Sequence, residues 1–206
     1  VAAGADAPGE DVEGRLISAL TARTRVVCVS HVSYLTGRRL DVARIAAACR
    51  KAGAVLVVDA SHSAGVVALP VEWCDALVAC GHKFLLGPHG IGLLYWNEQR
   101  LGPFSARLPG WNSTDRFEAG DRGFSYRLKD DVLPAEAGNA NFGSLYALDA
   151  ANALAASLPA RDIETHALDL AADMRRRLEG LGLALLTPAD RLRHAANVAF
   201  RHERSL

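Results

Sequence analysis

The chain has 206 residues, of which 50% are apolar, 22% charged and 6% aromatic, a composition that excludes a disordered or fibrous protein. Lys+Arg and Asp+Glu are 23 each, for a formal charge of zero; the basic surplus that phosphate backbones require is missing, so no nucleic-acid partner is expected. Apolar runs stop short of the roughly 20 residues of a bilayer span, and the amino terminus lacks the basic-then-apolar order of a signal peptide. No membrane partner and a cytoplasmic location follow as expectations.

The elements alternate. An amphipathic helix is predicted from Val12 to Ala22, then a buried strand across Arg25–His31. Asp41 offers an N-cap to a helix with Val42, Ile45, Ala46 and Cys49 on one face, and Gly53 stops it. Ala54–Asp59 is apolar at successive positions, the pattern of a strand covered on both faces. Asp75–Cys80 and Gly92–Trp96 read as two further strands. The expected fold class is therefore α/β, a mainly parallel sheet flanked by helices.

From Gly102 to Gly138 the chain is rich in Gly, Pro, Asp and Arg and reads as a long irregular, interfacial segment. Helices are predicted over Leu145–Leu158 and, after Pro159, over Arg161–Leu178, with Ile163, Ala167, Leu170 and Met174 as the apolar stripe. Short strands follow at Leu183–Leu186 and Asn197–Phe200. The predicted division is residues 1–145 as part of a large domain and 146–206 as linking helices and the start of a small α+β C-terminal domain, which stops at Ser205-Leu206 directly after a strand.

Four cysteines, Cys28, Cys49, Cys74 and Cys80, lie among apolar residues without a C-x-x-C pair, as buried thiols do. With His82 and His89 they match no standard zinc spacing, and no metal is expected. Asp59 stands at the carboxyl end of an apolar strand, where open α/β sheets bind ligands; the bland alternative is a cap on the next turn through Ser61 or His62. Lys83 lies in an apolar, glycine-rich setting, unlike Lys51 and Lys129, which have charged neighbours. Such a lysine suits imine formation, since only the neutral amine attacks an aldehyde, unless its stem merely packs while its head reaches solvent. A strand-end acid, a histidine three residues on and a loop lysine make the polar set that pyridoxal 5'-phosphate requires: the acid keeps the pyridine nitrogen protonated and the lysine holds the aldehyde.

Three motifs, Ser-His-Val-Ser-Tyr-Leu-Thr-Gly37, Val-Asp-Ala-Ser-His-Ser-Ala-Gly65 and Gly-His-Lys-Phe-Leu-Leu-Gly-Pro-His-Gly-Ile-Gly92, occur in this order. In that arrangement the chain resembles the class V aminotransferase family of fold type I pyridoxal-phosphate enzymes, which includes cysteine desulfurases, kynureninases and related lyases and epimerases. The resemblance implies Asp59 on the pyridine nitrogen, Lys83 as the internal aldimine and proton shuttle, His82 and Cys80 beside the phosphate, and His62 near the phenolate oxygen. It also implies Tyr34 as a substrate-side residue, with Trp111 and Asn139 reaching the phosphate of a neighbouring subunit. The residue-level alternatives are a turn cap for His62, a core histidine for His82, simple packing for Cys80, a rim aromatic for Trp111 and a cap on the helix near Phe142 for Asn139.

Residues 1–58, with their Gly, Ala, Asp and Pro-rich lead, contain neither the phosphate cradle nor the ring-stacking residue of such enzymes, and the carboxyl side lacks their substrate-carboxylate arginine. The expectation is a partial enzyme, completed by a longer polypeptide or a complementary chain, that forms a homodimer and acts on a small amino-acid substrate by transamination or cleavage at the β carbon. A non-catalytic or split-enzyme subunit of the same fold is the alternative. Arg107, Arg116, Arg122 and Arg127 are carboxylate-binding candidates, equally explained as a solvated or dimer-facing surface.

Overall fold

The computed structural model describes residues 10–120, 123–130 and 132–203; the lead at 1–9, Arg122 and the terminal Ser205-Leu206 lie outside the described residues. Helix α1 (Val12–Ser18) starts on Asp11, whose side chain accepts from the Gly14 amide. Strand β1 (Val26–Ser30) follows, then α2 (Val42–Ala52), capped by the Asp41 side chain on the Arg44 amide and closed by Gly53 at φ 70°. Both caps are legible in the sequence because Asp at N-cap and a left-handed Gly satisfy backbone groups that a helix end leaves open.

Strands β2 (Val55–Asp59), β3 (Ala76–Cys80) and β4 (Gly92–Trp96) complete a four-stranded sheet in the order β1-β2-β3-β4. The first three are parallel; β4 runs antiparallel to β3. The register sets Ser30 beside Asp59 and Asp59 beside Val78, so β1 and β2 end level and β3 runs two residues further, to Cys80.

One sheet face, carrying Val27, Leu56, Val58, Leu77 and Ala79, packs on Ile45, Ala46 and Cys49 of α2 to form the main core. The other face carries Val26, Cys28, Val57, Val78 and Asp59, and Val26 is 58% and Val78 38% exposed. Among the described residues the first face is buried, and on the second Val55 and Val57 of β2 are half-buried and Ala76 is buried while Val26 and Val78 are exposed, so the cover expected on both faces of β2 is fuller on one than on the other. Unbroken apolar sequence shows that a strand tolerates cover; it does not say which stretch of chain supplies it.

After α3 (Glu98–Leu101) the segment expected to be irregular contains a hairpin of β5 (Thr114–Gly120) and β6 (Gly123–Leu128). The density of Gly, Asp and Arg conceals the alternation that makes these strands. Helices α4 (Phe142–Ala156) and α5 (Ala160–Gly180) follow, then the two-residue strands β7 (Ala184–Leu185) and β8 (Phe200–Arg201).

On α5 the buried positions are Leu168, Ala171 and Arg175, while Leu170 and Met174 are about half exposed. Of the expected stripe, Ala167 packs on a small core and Leu170 and Met174 turn outward, and the four residues line an apolar groove of about 770 Å³ with Val66, Phe84 and Leu158. A second small core joins Val32, Val66, Val67 and Ala195, against which Phe84 and Ala167 pack. The carboxyl-terminal segment is stitched back to the sheet through the Arg39 amide on the Arg193 carbonyl and the Arg38–His194 bridge. Among the described residues no helix is long and apolar enough to cross a membrane.

Candidate active site

The site lies where β2 and β3 end. Beyond Asp59 the chain turns at once: Ser63 and Ala64 amides bond to the Ala60 carbonyl, and Asp59 Oδ1 accepts from the Ser61 amide at 2.8 Å. The capping alternative for Asp59 is therefore present, but it engages one carboxylate oxygen; the other has no hydrogen bond among the described residues. The turn leads His62 out and closes through Gly65 at φ 91°.

β3 ends at Cys80, whose amide donates to Ser61 Oγ at 3.2 Å and so ties the two strand ends together. The following loop folds back through Gly87 on the Gly81 carbonyl and Leu86 on the Lys83 carbonyl. It presents a half-buried Lys83 whose Nζ lies 2.7 Å from His62 Nε2. On its other side His62 Nδ1 is 3.3 Å from Asn197 Nδ2. Tyr34 stacks on the imidazole with centroids 6.1 Å apart and planes at 29°, and Phe84 meets it edge-on at 6.5 Å.

Burial lowers the His62 pKa, the adjacent Lys83 lowers it further, and Asp59 opposes both through its negative charge. His62 is therefore biased to the neutral imidazole. An amine, an acid with an uncommitted oxygen and an aromatic wall are the groups that a pyridine aldehyde needs, so the residues fit such a ligand.

The other candidates are more dispersed. Cys80 shares the open sheet face with Asp59. His82 is exposed and stacks on His89 with centroids 4.1 Å apart, so the core-histidine alternative does not describe it. Trp111 is 71% exposed at the start of the hairpin segment. Asn139 is exposed, and the cap on α4 is Asn141, which accepts from the Ser144 amide; the capping alternative for Asn139 is corrected accordingly. Among the described residues neither Trp111 nor Asn139 has a hydrogen bond or ring contact with Lys83, His62 or Asp59. Of the arginines, Arg127 is exposed beside Asp115 and Arg107 is exposed.

Sequence reasoning passes over Asn197, which reads only as the first residue of a short strand. It lies 135 residues from His62 in the chain, and no spacing rule spans that distance. Phe84 is likewise missed as a wall of the site, although it adjoins Lys83.

A mainly parallel sheet with an acid closing β2 and an amine on the loop after β3 defines an α/β protein with its candidate site at the carboxyl edge of the strands. The sequence model of the Aminotransferase class-V family matches residues 4–205, and the chain belongs to that family. It is 32% identical over 204 residues to a kynureninase of Deinococcus radiodurans, covering 95% of this chain and 48% of that one. It is 33% identical over 207 residues to an isopenicillin N epimerase of Amycolatopsis lactamdurans, covering 94% and 50%.

Among solved structures, an apo cysteine desulfurase from Thermococcus onnurineus NA1 superposes with TM-score 0.79 at 28% identity, covering 94% of this chain and 47% of that one. A variant of C-DES with glycine covalently linked to its pyridoxal phosphate cofactor gives 0.84 at 25% identity, covering 97% and 52%. The chain spans about half the length of the relatives it matches.

Proposed function

We propose that the chain carries the lysine half of a pyridoxal-phosphate site and that the whole protein transforms an amino acid, by transamination or by cleavage at the β carbon. The observation that carries the reading is the contact of Lys83 Nζ with His62 Nε2 at 2.7 Å, on the turn that follows Asp59 at the end of β2. Pyridoxal phosphate, when bound, supplies a protonated pyridine ring that accepts electron density from the substrate α carbon.

The chain's own residues have distinct tasks. Asp59 offers its uncommitted oxygen to the pyridinium N–H, which keeps that proton in place. Lys83 would hold the aldehyde covalently and, with its amine free, would be the base that moves the substrate's α proton. His62, held neutral, gives a hydrogen bond beside the phenolate oxygen without adding a second positive charge to the site. Tyr34, on its exposed turn, faces the substrate side. His82 and Cys80 serve the phosphate side, and Trp111 and Asn139 serve it from a neighbouring subunit.

The open sheet face carrying Asp59 supports completion of the site by the polypeptide that makes up the other half of the relatives' length, within a homodimer or from a complementary chain. Four free thiols accord with a reducing cytoplasmic setting. The test is spectroscopic. The chain, supplied with its complementing half and pyridoxal phosphate, is expected to show a visible absorbance band that disappears in Lys83→Ala. Absence of the band in both proteins would leave the non-catalytic subunit as the reading.

A further inference from the structure

In a parallel ladder the amide and the carbonyl of one residue bond to two residues of the neighbouring strand that lie two places apart. The Ala60 amide donates to the Val78 carbonyl at 2.7 Å, so the next rung would run from the Cys80 amide to the Ala60 carbonyl. That carbonyl is already taken. It accepts from the amides of Ser63 and Ala64 at 2.9 and 2.8 Å and from Ser63 Oγ at 3.1 Å, the bonds of the turn that carries His62. Two lone pairs met by three donors leave nothing for a fourth. The Cys80 amide donates instead to Ser61 Oγ at 3.2 Å. A side-chain hydroxyl thus replaces the main-chain acceptor that the turn has withdrawn, where β2 ends on Asp59 and β3 leads into the Lys83 loop.

Ser61 acts on the acid as well: its own amide donates to Asp59 Oδ1 at 2.8 Å. One residue therefore holds the carboxylate with its main chain and the start of the Lys83 loop with its side chain. An alanine at this position would keep the first bond and lose the second. We propose that Ser61 is a positioning residue that sets the separation between Asp59 and Lys83, and with it the span of a ring compound that engages both. This rests on the reading of those two side chains as the anchors of pyridoxal phosphate, at its ring nitrogen and at its aldehyde. A ligand that needs both anchors is penalised when their separation is no longer fixed; a ligand that uses one of them follows it.

Three compounds divide positioning from general stability. Pyridoxal phosphate offers both the ring nitrogen and the aldehyde. Pyridoxamine phosphate keeps the nitrogen but carries an amine in place of the aldehyde, and the benzene analogue of pyridoxal phosphate keeps the aldehyde but has C–H for the ring nitrogen. Dissociation constants are measured by equilibrium dialysis on the chain with its complementing half. In Ser61→Ala the constant for pyridoxal phosphate is expected to rise about tenfold, the worth of one hydrogen bond, and those for the other two by less than about threefold. Ser61→Thr, which keeps the hydroxyl, is expected to stay close to the parent. Without ligand, hydrogen exchange of the Cys80 amide is expected to quicken about tenfold in Ser61→Ala and to be restored in Ser61→Thr. Equal losses for all three compounds, an unmoved constant for pyridoxal phosphate, or a Cys80 amide indifferent to the hydroxyl overturns the inference. A parent that binds none of the three sinks the functional reading and this inference with it, whereas a parent that binds them and a Ser61→Ala that matches it sink the positioning role alone.

Discussion

His31, immediately after β1, is 2% exposed, and its Nε2 accepts from Arg39 Nε at 3.3 Å. Burial, followed by the positive charge of Arg39, lowers its pKa to about 4, against a smaller opposing effect of Glu164. The unfolded chain takes up that proton near the ordinary histidine value, so between about pH 6.5 and pH 4 it binds more protons than the folded one. Stability is full above that window and falls as the pH drops through it, by about 3 kcal/mol for a shift of this size. Urea unfolding at pH 7.5 and pH 4.5 should show this loss, and His31→Gln, which still offers Arg39 an oxygen, should reduce it. An undiminished loss in the variant would assign the pH dependence elsewhere. His62 and His194 are lowered in the same direction by burial, so a residual slope is expected. Residues such as Asp59, His62 and Lys83 are legible in the sequence because each sits at a strand end within a motif. His31 and Asn197 are not, since burial and a partner far along the chain create their chemistry.

At the scale of elements, the signals that survive into structure are those set by local backbone chemistry, such as Asp41 and Gly53 around α2. The outward turn of Leu170 and Met174 on α5 depends instead on what lies opposite. Two glycines separate the same causes quantitatively. Gly53 has φ 70° and a Cβ there would have open space, whereas Gly65 has φ 91° and its Cβ would lie 2.3 Å from the Phe84 carbonyl oxygen. Gly53→Ala therefore carries the left-handed penalty alone, about 1–2 kcal/mol. Gly65→Ala adds a backbone clash that only movement of the 81–87 loop relieves. It is expected to cost several kcal/mol, at the upper end of single substitutions, and to pull Lys83 from His62. Denaturant midpoints give the first comparison, and the rate at which acetic anhydride labels Lys83 at a fixed pH gives the second. Equal losses in the two variants would mean that the His62 turn and the Lys83 loop are not packed as described.

Across the whole molecule one buried ion pair ties the carboxyl-terminal segment to the first helix, between residues far apart in sequence. Glu13, in the first turn of α1, is fully buried; its Oε1 accepts from the Asp41 amide at 2.7 Å, and both its oxygens accept from Arg193 at 2.6 and 2.8 Å. Nothing in the sequence announces this pair, since a glutamate in a first helical turn reads as a solvated favourable charge. Arg193 retains some exposure, at 28% for the side chain, and Glu13 has none. Removing the arginine therefore strands a buried acid with a single amide donor, while removing the acid leaves an arginine that water reaches. Breaking a buried pair from the buried side's point of view costs about 3–5 kcal/mol, so Arg193→Ala should destabilise by more than Glu13→Ala, and a double-mutant cycle should return a coupling well above the 0.2–1 kcal/mol typical of exposed pairs. Arg193 also carries the backbone bond to Arg39 and precedes Asn197 by four residues. The same substitution should thus broaden the His62 ring-nitrogen signals even in the folded fraction, whereas a segment held independently of Glu13 would leave them sharp.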